Sequence, residues 1–148
     1  RAISLAPKKQ TFYFFLAQIY LNSGEKQKAI ESAKFAHELA PQLDTAWMNY
    51  ASVLSLADKV EFEKLIMIAV EEGQTLRVEK MFLQQISRKP DIYQNYVSLS
   101  ALYFKTGQID KSKDILDEAI VKFPQIKVQL EQLLKQIEEG KNPIGKSF

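Results

Sequence analysis

Two stretches of the chain share one residue pattern, and together they decide its fold. Residues 13–24 read YFFLAQIYLNSG and residues 96–107 read YVSLSALYFKTG, so Tyr, Leu, a small residue, Tyr and Gly recur at the same intervals. Leu and Tyr three or four residues apart line one face of a helix, and the small residue lets a second helix approach closely. Gly supplies the left-handed conformation that ends a helix. Each stretch therefore predicts a helix that packs against a partner helix.

The prolines and glycines repeat with matching intervals. Four of the five prolines stand at Pro7, Pro41, Pro90 and Pro124, and three of the five glycines stand at Gly24, Gly73 and Gly107. The intervals are 34, 49 and 34 residues for proline, and 49 and 34 for glycine. A fixed period between about 20 and 50 residues is typical of a solenoid of repeated helical units.

The pattern resembles the tetratricopeptide repeat, which reads W-x2-L-G-x2-Y, then A-x3-F, then P over 34 residues. The first copy is Tyr13-x2-Leu16-Ala17-x2-Tyr20, Ala29-x3-Ala33, Pro41, and the last is Tyr96-x2-Leu99-Ser100-x2-Tyr103, Ser112-x3-Leu116, Pro124. A third first helix reads Trp47-x2-Tyr50-Ala51-x2-Leu54. The resemblance implies an all-α, antiparallel helix-pair solenoid of about eight helices, with a concave groove for a peptide or helix.

The expected helices lie at 9–22, 26–39, 43–57, 60–72, 75–88, 91–105, 108–122 and 125–139. Residues 1–139 form the repeat domain: 1–7 end a truncated upstream repeat, 9–42 and 91–124 are repeats, and 125–139 cap the solenoid. Residues 140–148 are predicted to be a flexible tail. The segment 43–90 is irregular and holds one odd helix. Gly73 and Pro90 pair 60–72 with 75–88, whereas the Trp47 match pairs 43–57 with 60–72, which we slightly prefer.

Composition excludes several classes of function. The 148 residues carry a net charge of +2, with 20 Lys+Arg against 18 Asp+Glu, too small a surplus for a nucleic-acid-binding stripe. The chain has no Cys and only one His, His37, for which a partly buried structural role is expected. We therefore predict no cofactor and no metal site. No apolar run reaches the roughly 18 residues of a spanning helix, so this segment itself is not expected to contact a membrane.

One stretch matches a phosphate-binding loop by letter alone. Residues 140–147 fit G-x-x-x-x-G-K-[ST], but they follow a helix, and no strand precedes them. The carboxylates Asp110, Asp114, Asp117 and Glu118 alternate with lysines at helical spacing, which is typical of a solvated surface. No serine has a nearby His/Asp arrangement or G-x-S-x-G elbow. We predict that the chain is not an enzyme.

The resemblance also implies which side chains line the groove. They are Phe14, Gln18, Leu21, Asn22, Met48, Asn49, Ser52, Val97, Ala101 and Phe104. This set is apolar with scattered amides, so we expect an apolar segment or an amphipathic helix as the ligand. Alternatively, Phe14 and Phe15 pack on an upstream repeat. A homodimer is also possible through an apolar patch comprising Phe62, Leu65, Ile66, Met67 and Val70.

A looser resemblance leads to a different function. Residues 7–22 and 129–134 look like the repeats that follow the membrane region of bacterial O-antigen ligase and polymerase-type proteins. The alternative hypothesis is therefore a soluble accessory domain of a membrane glycosyltransferase of that kind, attached to a bacterial membrane protein. The sequence leaves the compartment open.

Overall fold

The computed structural model describes residues 2–144, with side chains from Lys8 onward. Within that range the secondary structure is entirely helical. The elements are α1 (Ala2–Asn22), α2 (Lys26–Leu39), α3 (Asp44–Ala57), α4 (Lys59–Glu71), α5 (Thr75–Arg88), α6 (Tyr93–Lys105), α7 (Ile109–Lys122), a 3-10 turn (Pro124–Ile126) and α8 (Lys127–Glu138). They form two compact units, Arg1–Ile68 and Ala69–Phe148. The expected all-α repeat fold is confirmed.

The first unit packs α2 against both α1 and α3, and α1 also touches α3. Its core is built from small side chains, because Ala17, Ala29, Ala33 and Val53 are all buried in one cluster. Such residues let helix backbones come close together. The ring of Tyr13 on α1 meets that of Phe35 edge-on, with their centroids 4.5 Å apart, an arrangement that aromatic pairs favour.

The second unit packs its helices in chain order, α5 on α6, α6 on α7 and α7 on α8. The α6–α8 core is a cluster of Tyr96, Leu116, Ala119, Phe123, Leu130 and Ile137. Because Leu130 and Ile137 are buried while the residues around them on α8 are mostly exposed, α8 presents one apolar face inward. That is the placement expected of a capping helix.

A pair of serines joins α6 to α7 at the place where α1 and α2 carry alanines. Ser100 Oγ donates to the carbonyl of Ser112 over 2.9 Å, and Ser112 Oγ donates to the carbonyl of Ser100 over 2.7 Å. Both serines are fully buried. The corresponding Ala17 and Ala29 are equally buried in the first unit. The two helix pairs thus share a geometry but use different chemistry at its centre.

Glycine ends a helix in the same way four times. At Gly24 the φ angle is +78°, the Gly24 amide donates to the carbonyl of Leu21, and the next amide donates to the carbonyl of Tyr20. This pair of backbone hydrogen bonds is the Schellman cap, which needs a residue with a left-handed backbone conformation. The same cap ends α4, α6 and α8. The turn between α4 and α5 therefore has the same glycine cap as the turns between α1 and α2 and between α6 and α7.

One predicted helix boundary is wrong. The sequence predicted a helix from residue 9, after a break at Pro7, but α1 begins at Ala2 and continues through Pro7. Proline at the sixth position of a helix forfeits the backbone bond to Ile3 and is disfavoured there, whereas the alanines and leucine around it favour helix. The assignment of residues 1–7 to an upstream repeat stays a prediction. The other predicted ends agree to within two residues.

The described structure adds detail to two further expectations, both of which stay predictions. Pro143 is buried and the amide of Ile144 donates to Asn142 Oδ1 over 3.1 Å, so residues 140–144 form a local turn within the predicted flexible tail. The predicted homodimer patch is interrupted, because Ile66 is fully buried and only Met67 among its residues is exposed. The apolar residues of α4 therefore divide between interior and surface.

Candidate functional site

The candidate site in the first unit lies on α1 and α3. Gln18 follows Phe14 by one turn on α1, and Ser52 follows Asn49 by one turn on α3. Since α1 touches α3 and both pack on α2, these two rows belong to neighbouring helices. The core-facing Ala17 and Val53 stand next to them in sequence and are fully buried. Whether these two rows line one groove stays a prediction.

The side chains of these two rows differ in how much surface they offer. Phe14, Gln18, Asn49 and Ser52 are half-buried and Asn22 is exposed.

Leu21 and Met48 contribute less than the sequence suggested. Leu21 is partly buried and packs against the Ala17–Ala29 cluster. Met48 is only 8% exposed, which is a correction to the predicted groove. An unbranched Met side chain fills irregular gaps between packed groups. The first-unit surface is thus left with one aromatic ring, three amides and one hydroxyl.

The second unit holds the other predicted groove residues. Val97 and Phe104 are partly buried and pack against the Tyr96–Ile137 cluster. Ala101 is fully buried, a second correction to the predicted groove. Its single methyl group is too short to reach past its larger neighbours on α6. The second unit therefore presents little of the predicted lining.

The first-unit surface carries no formal charge at the positions that remain available. Gln18, Asn22 and Asn49 offer neutral amides, which both donate and accept hydrogen bonds. The hydroxyl of Ser55, one turn beyond Ser52, donates to the Ser52 carbonyl over 2.7 Å. Such a surface can recognise backbone amides and apolar side chains. It lacks the paired cations that fix a carboxylate or phosphate.

His37 lies half-buried on α2, as its position next to Ala36 suggested. Its imidazole stacks on the ring of Tyr50 on α3, with the centroids 5.7 Å apart and the planes 18° apart. Burial is the main cause that raises the pKa of Tyr50, and the nearby carboxylates of Glu61 and Glu38 add to it. The stacked pair joins α2 to α3.

Sequence reasoning missed a lysine that recurs above the last tyrosine of each repeat motif. Lys28 Nζ lies 5.6 Å from the centre of the Tyr20 ring, and Lys111 Nζ lies 5.6 Å from that of Tyr103. This is the distance range of a cation–π contact. The signal was present, because Lys28 falls on Lys111 when the two repeats are aligned.

Among Tyr50, Tyr96 and Tyr103, the tyrosine whose pKa is raised furthest is Tyr103. Burial raises its pKa to about 12, with a smaller effect from the negative charge of Glu79 and a hydrogen bond to that carboxylate. Glu79 belongs to α5, so this bond helps to hold α5 against α6. The neutral phenol is the form that fits the interior.

An open depression of about 690 Å³ lies beside α7 in the second unit. Its lining consists of Tyr96, Asp114, Asp117, Glu118, Val121 and Lys122. The three carboxylate residues are exposed, as the helical spacing predicted for a solvated surface. Burial is the main cause that raises the pKa of Tyr96, followed by the charges of Glu118 and Asp91.

Residues 2–144 contain no helix long and apolar enough to cross a membrane. In the same residues, no group of three or more His, Cys, Asp or Glu side chains is placed to hold a metal ion. Within the phosphate-loop match, Gly140 serves as the cap of α8, with its amide donating to the carbonyl of Ile137. Gly145, Lys146 and Ser147 lie outside the described residues.

Comparison with known families gives two matched segments. Residues 11–43 and 93–120 match the family model described as "Tetratricopeptide repeat". They cover α2 with most of α1, and α6 with most of α7, which are the helix pairs with the clearest internal repeat. No curated protein matches the chain. The resemblance to O-antigen ligase repeats stays a prediction.

Proposed function

The chain is a tetratricopeptide-repeat domain, and on that premise we propose that it is a non-catalytic scaffold that binds a peptide or helix of a protein partner. Repeats of this family generally mediate protein–protein interaction. The proposed binding surface is the α1–α3 surface, defined as Phe14, Gln18, Asn22, Asn49 and Ser52. Its occupant is an uncharged segment with an apolar side chain to set against Phe14.

The observation that carries the proposal is the side-by-side packing of α1 and α3 on α2. Buried alanines of α1 and α2 cluster with Val53 of α3, so the two helices that carry the proposed surface are held by one core. Helices fixed by a packed core place side chains more reproducibly than loops do. A ligand therefore meets a preformed surface and loses less free energy to ordering the receptor.

The chemistry of the surface favours a particular class of ligand. Phe14 provides apolar contact, while the amides of Gln18, Asn22 and Asn49 provide hydrogen bonds that suit a peptide backbone. A carboxylate-rich ligand would find no cation among these five side chains. An apolar segment with unpaired backbone groups, or the apolar face of an amphipathic helix, fits better.

The experiment is a selection from a random peptide library displayed on phage, followed by direct affinity measurement. The chain serves as bait, and a variant with Phe14→Ala, Gln18→Ala and Asn49→Ala serves as the comparison. The matched control carries Val128→Ala, Gln129→Ala and Gln132→Ala on α8. Like the test set, it removes one apolar and two amide side chains, and all three of its residues are exposed.

We expect selected peptides that are apolar and uncharged, and a loss of at least tenfold in affinity for the test variant. The α8 control should bind as the parent does. Circular dichroism must first show that both variants keep their helical content. Equal binding by the test variant, or peptides that consistently carry two or more carboxylates, would contradict the assignment of this surface.

A further inference from the structure

The open depression beside α7 is separate from the α1–α3 surface, because it belongs to the second unit. We call it the acidic depression, and its lining comprises Tyr96, Asp114, Asp117, Glu118, Val121 and Lys122. The five residues from α7 recur at intervals of three and four and therefore share one face of the helix. The volume of about 690 Å³ falls within the range of roughly 300–1,000 Å³ that ligand clefts have.

The three carboxylates of the acidic depression form no ion pair or hydrogen bond with any described residue. Glu25 and Glu61 on other parts of the surface, in contrast, lie 2.9 Å and 3.0 Å from a lysine Nζ. Asp117 and Glu118 follow Asp114 by three and four residues, and like charges at this spacing destabilise a helix. A cation seated among these carboxylates would relieve their repulsion.

Tyr96 of α6 brings a polar group from the interior to the acidic depression. The residue is only 4% exposed, and its ring packs edge-on against Phe123 of the core, with the centroids 5.5 Å apart. Burial raises the pKa of its hydroxyl, and the charges of Glu118 and Asp91 raise it further, so the hydroxyl lies on the side of Glu118. This hydroxyl forms no hydrogen bond with any residue that the structure describes. Because buried polar groups are normally paired, it is available to a ligand in the depression.

We propose that the acidic depression binds an extended, arginine-bearing segment of a partner protein, with a guanidinium group between the Tyr96 hydroxyl and the carboxylates. Arginine carries five N–H donors and no acceptor, which suits a lining of accepting oxygens. Its methylene chain can lie on Val121, which is 83% exposed. Asp114 and Glu118 are about 6 Å apart along the helix axis, close to the roughly 7 Å between alternate side chains of an extended segment. Two arginines two residues apart therefore reach both carboxylates.

The charges of the lining favour arginine over other cations. Three carboxylates and one ammonium group leave a net charge of −2. Nowhere in the described part of the chain are three or more His, Cys, Asp or Glu side chains placed to hold a metal ion, so a single small ion is the poorer occupant. A guanidinium group is planar and more weakly hydrated than an ammonium group, and it can bond two oxygens at once. Lys122 stands at the C-terminal end of this face and repels a cation there, so the arginines lie towards Asp114.

The test is an NMR titration of the isotope-labelled full chain with an acetylated, amidated peptide in which arginine and alanine alternate. Companion peptides carry lysine or the neutral analogue citrulline in place of arginine. The titration is repeated with Asp114→Asn, Glu118→Gln and with Tyr96→Phe, which removes the hydroxyl and keeps the ring in the core. The matched control, Glu71→Gln, Glu72→Gln, also removes two exposed carboxylates of the second unit, at the end of α4. Circular dichroism must first show that each variant keeps its helical content.

We expect the arginine peptide to shift the amide signals of residues 114–122 and of Tyr96. The salt concentration is about 0.1 M, where charges more than about 10 Å apart are largely screened. The affinity should fall about tenfold in Asp114→Asn, Glu118→Gln and about threefold in Tyr96→Phe, and it should stay unchanged in the Glu71/Glu72 control. The lysine peptide should bind less tightly than the arginine peptide, and the citrulline peptide should not bind.

An equal loss of affinity in the two charge variants would overturn the proposal, because it would show only a general attraction between a basic peptide and surface carboxylates. An unchanged affinity in Tyr96→Phe, or equal binding of the lysine peptide, would also overturn it. The same holds for signal shifts confined to other residues, and for the absence of any shift at a peptide concentration on the order of 1 mM.

Discussion

The buried serine pair gives a prediction that distinguishes two ways of holding α6 to α7. Each serine hydroxyl has one proton to donate, and each Oγ lies within 2.9 Å of the carbonyl of the other serine. The two Oγ atoms are also 2.9 Å apart. If both protons point to carbonyls, the contact between the hydroxyl oxygens contributes no hydrogen bond. The two bonds are then independent of each other.

Ser100→Ala removes one bond and leaves the other intact, because Ser112 Oγ still has the backbone carbonyl of residue 100 as its acceptor. Since no buried group loses its partner, the expected loss is that of one hydrogen bond, about 1 kcal/mol. Ser112→Ala should cost the same by the same reasoning. The double variant should cost about 2 kcal/mol, which for a chain of this size lowers the Tm by about 4–8 °C.

The assay is urea unfolding followed by circular dichroism, with all four proteins of the double-mutant cycle measured at one temperature. The slope of the transition must stay constant, so that a change in midpoint reports stability alone. The double variant should fold, because Ala17 and Ala29 already fill the equivalent positions of the first unit. A coupling of about 1 kcal/mol or more, with the double variant no less stable than either single one, would refute the reasoning. It would show that the bond between the two hydroxyls is the one that matters.

Three further predictions concern the second unit. Tyr103→Phe should make the protein lose less stability at alkaline pH. Folding raises the pKa of Tyr103 to about 12, so the stability that this group contributes is fully present below pH 10 and is lost as the pH rises towards 12. Unfolding measured from pH 9 to 12 tests this, with Tyr93→Phe as the control. Gly107→Ala should cost about 1 kcal/mol, because φ is +79° although nothing within 4 Å would touch the new Cβ. Gly107→Asn should cost less than Gly107→Ala when both variants are measured by thermal unfolding, since Asn tolerates the left-handed backbone region. Leu116→Ala should cost about 3–5 kcal/mol in urea unfolding, because it empties a fully buried site.

The sequence predicted helices well because their ends carry strong local signals. Gly24 ends α1 and Gly107 leads into the turn after α6, each with a left-handed backbone that other residues adopt at a cost. Pro7 misled the same reasoning. Proline is disfavoured beyond the first turn of a helix, so the local rule places a break there, and it does not show whether the neighbouring residues carry the helix through.

The candidate site was predicted less completely than the fold. Helical spacing places Phe14 and Gln18 on one row of α1, and their part in a groove stays a prediction. The spacing could not show that Met48 and Ala101 are covered. Burial depends on which neighbours pack across a helix, and periodicity describes only the helix itself. The cation–π contact of Lys28 with Tyr20 joins two helices, so the periodicity of one helix does not predict it. Only the alignment of Lys28 with Lys111 carried a signal for it.

The pairing of the helices within residues 43–90 is ambiguous because two of them, α3 and α4, resemble the first helix of a repeat. The Trp47 helix, α3, packs on α2 and touches α1, as the first helix of a following repeat does. The next helix, α4, ends at Gly73 in the same Schellman cap as α1 and α6. Only α5, which packs on α6 and is followed by Pro90, has the features of a second helix. Each sequence signal points to a different first-type helix, which is why the two pairings conflict, and the pairing of the middle helices stays a prediction. The additional 15 residues between the regular repeats match α4 and its turns in length, which makes insertion of a second first-type helix the simplest account of the irregular interval.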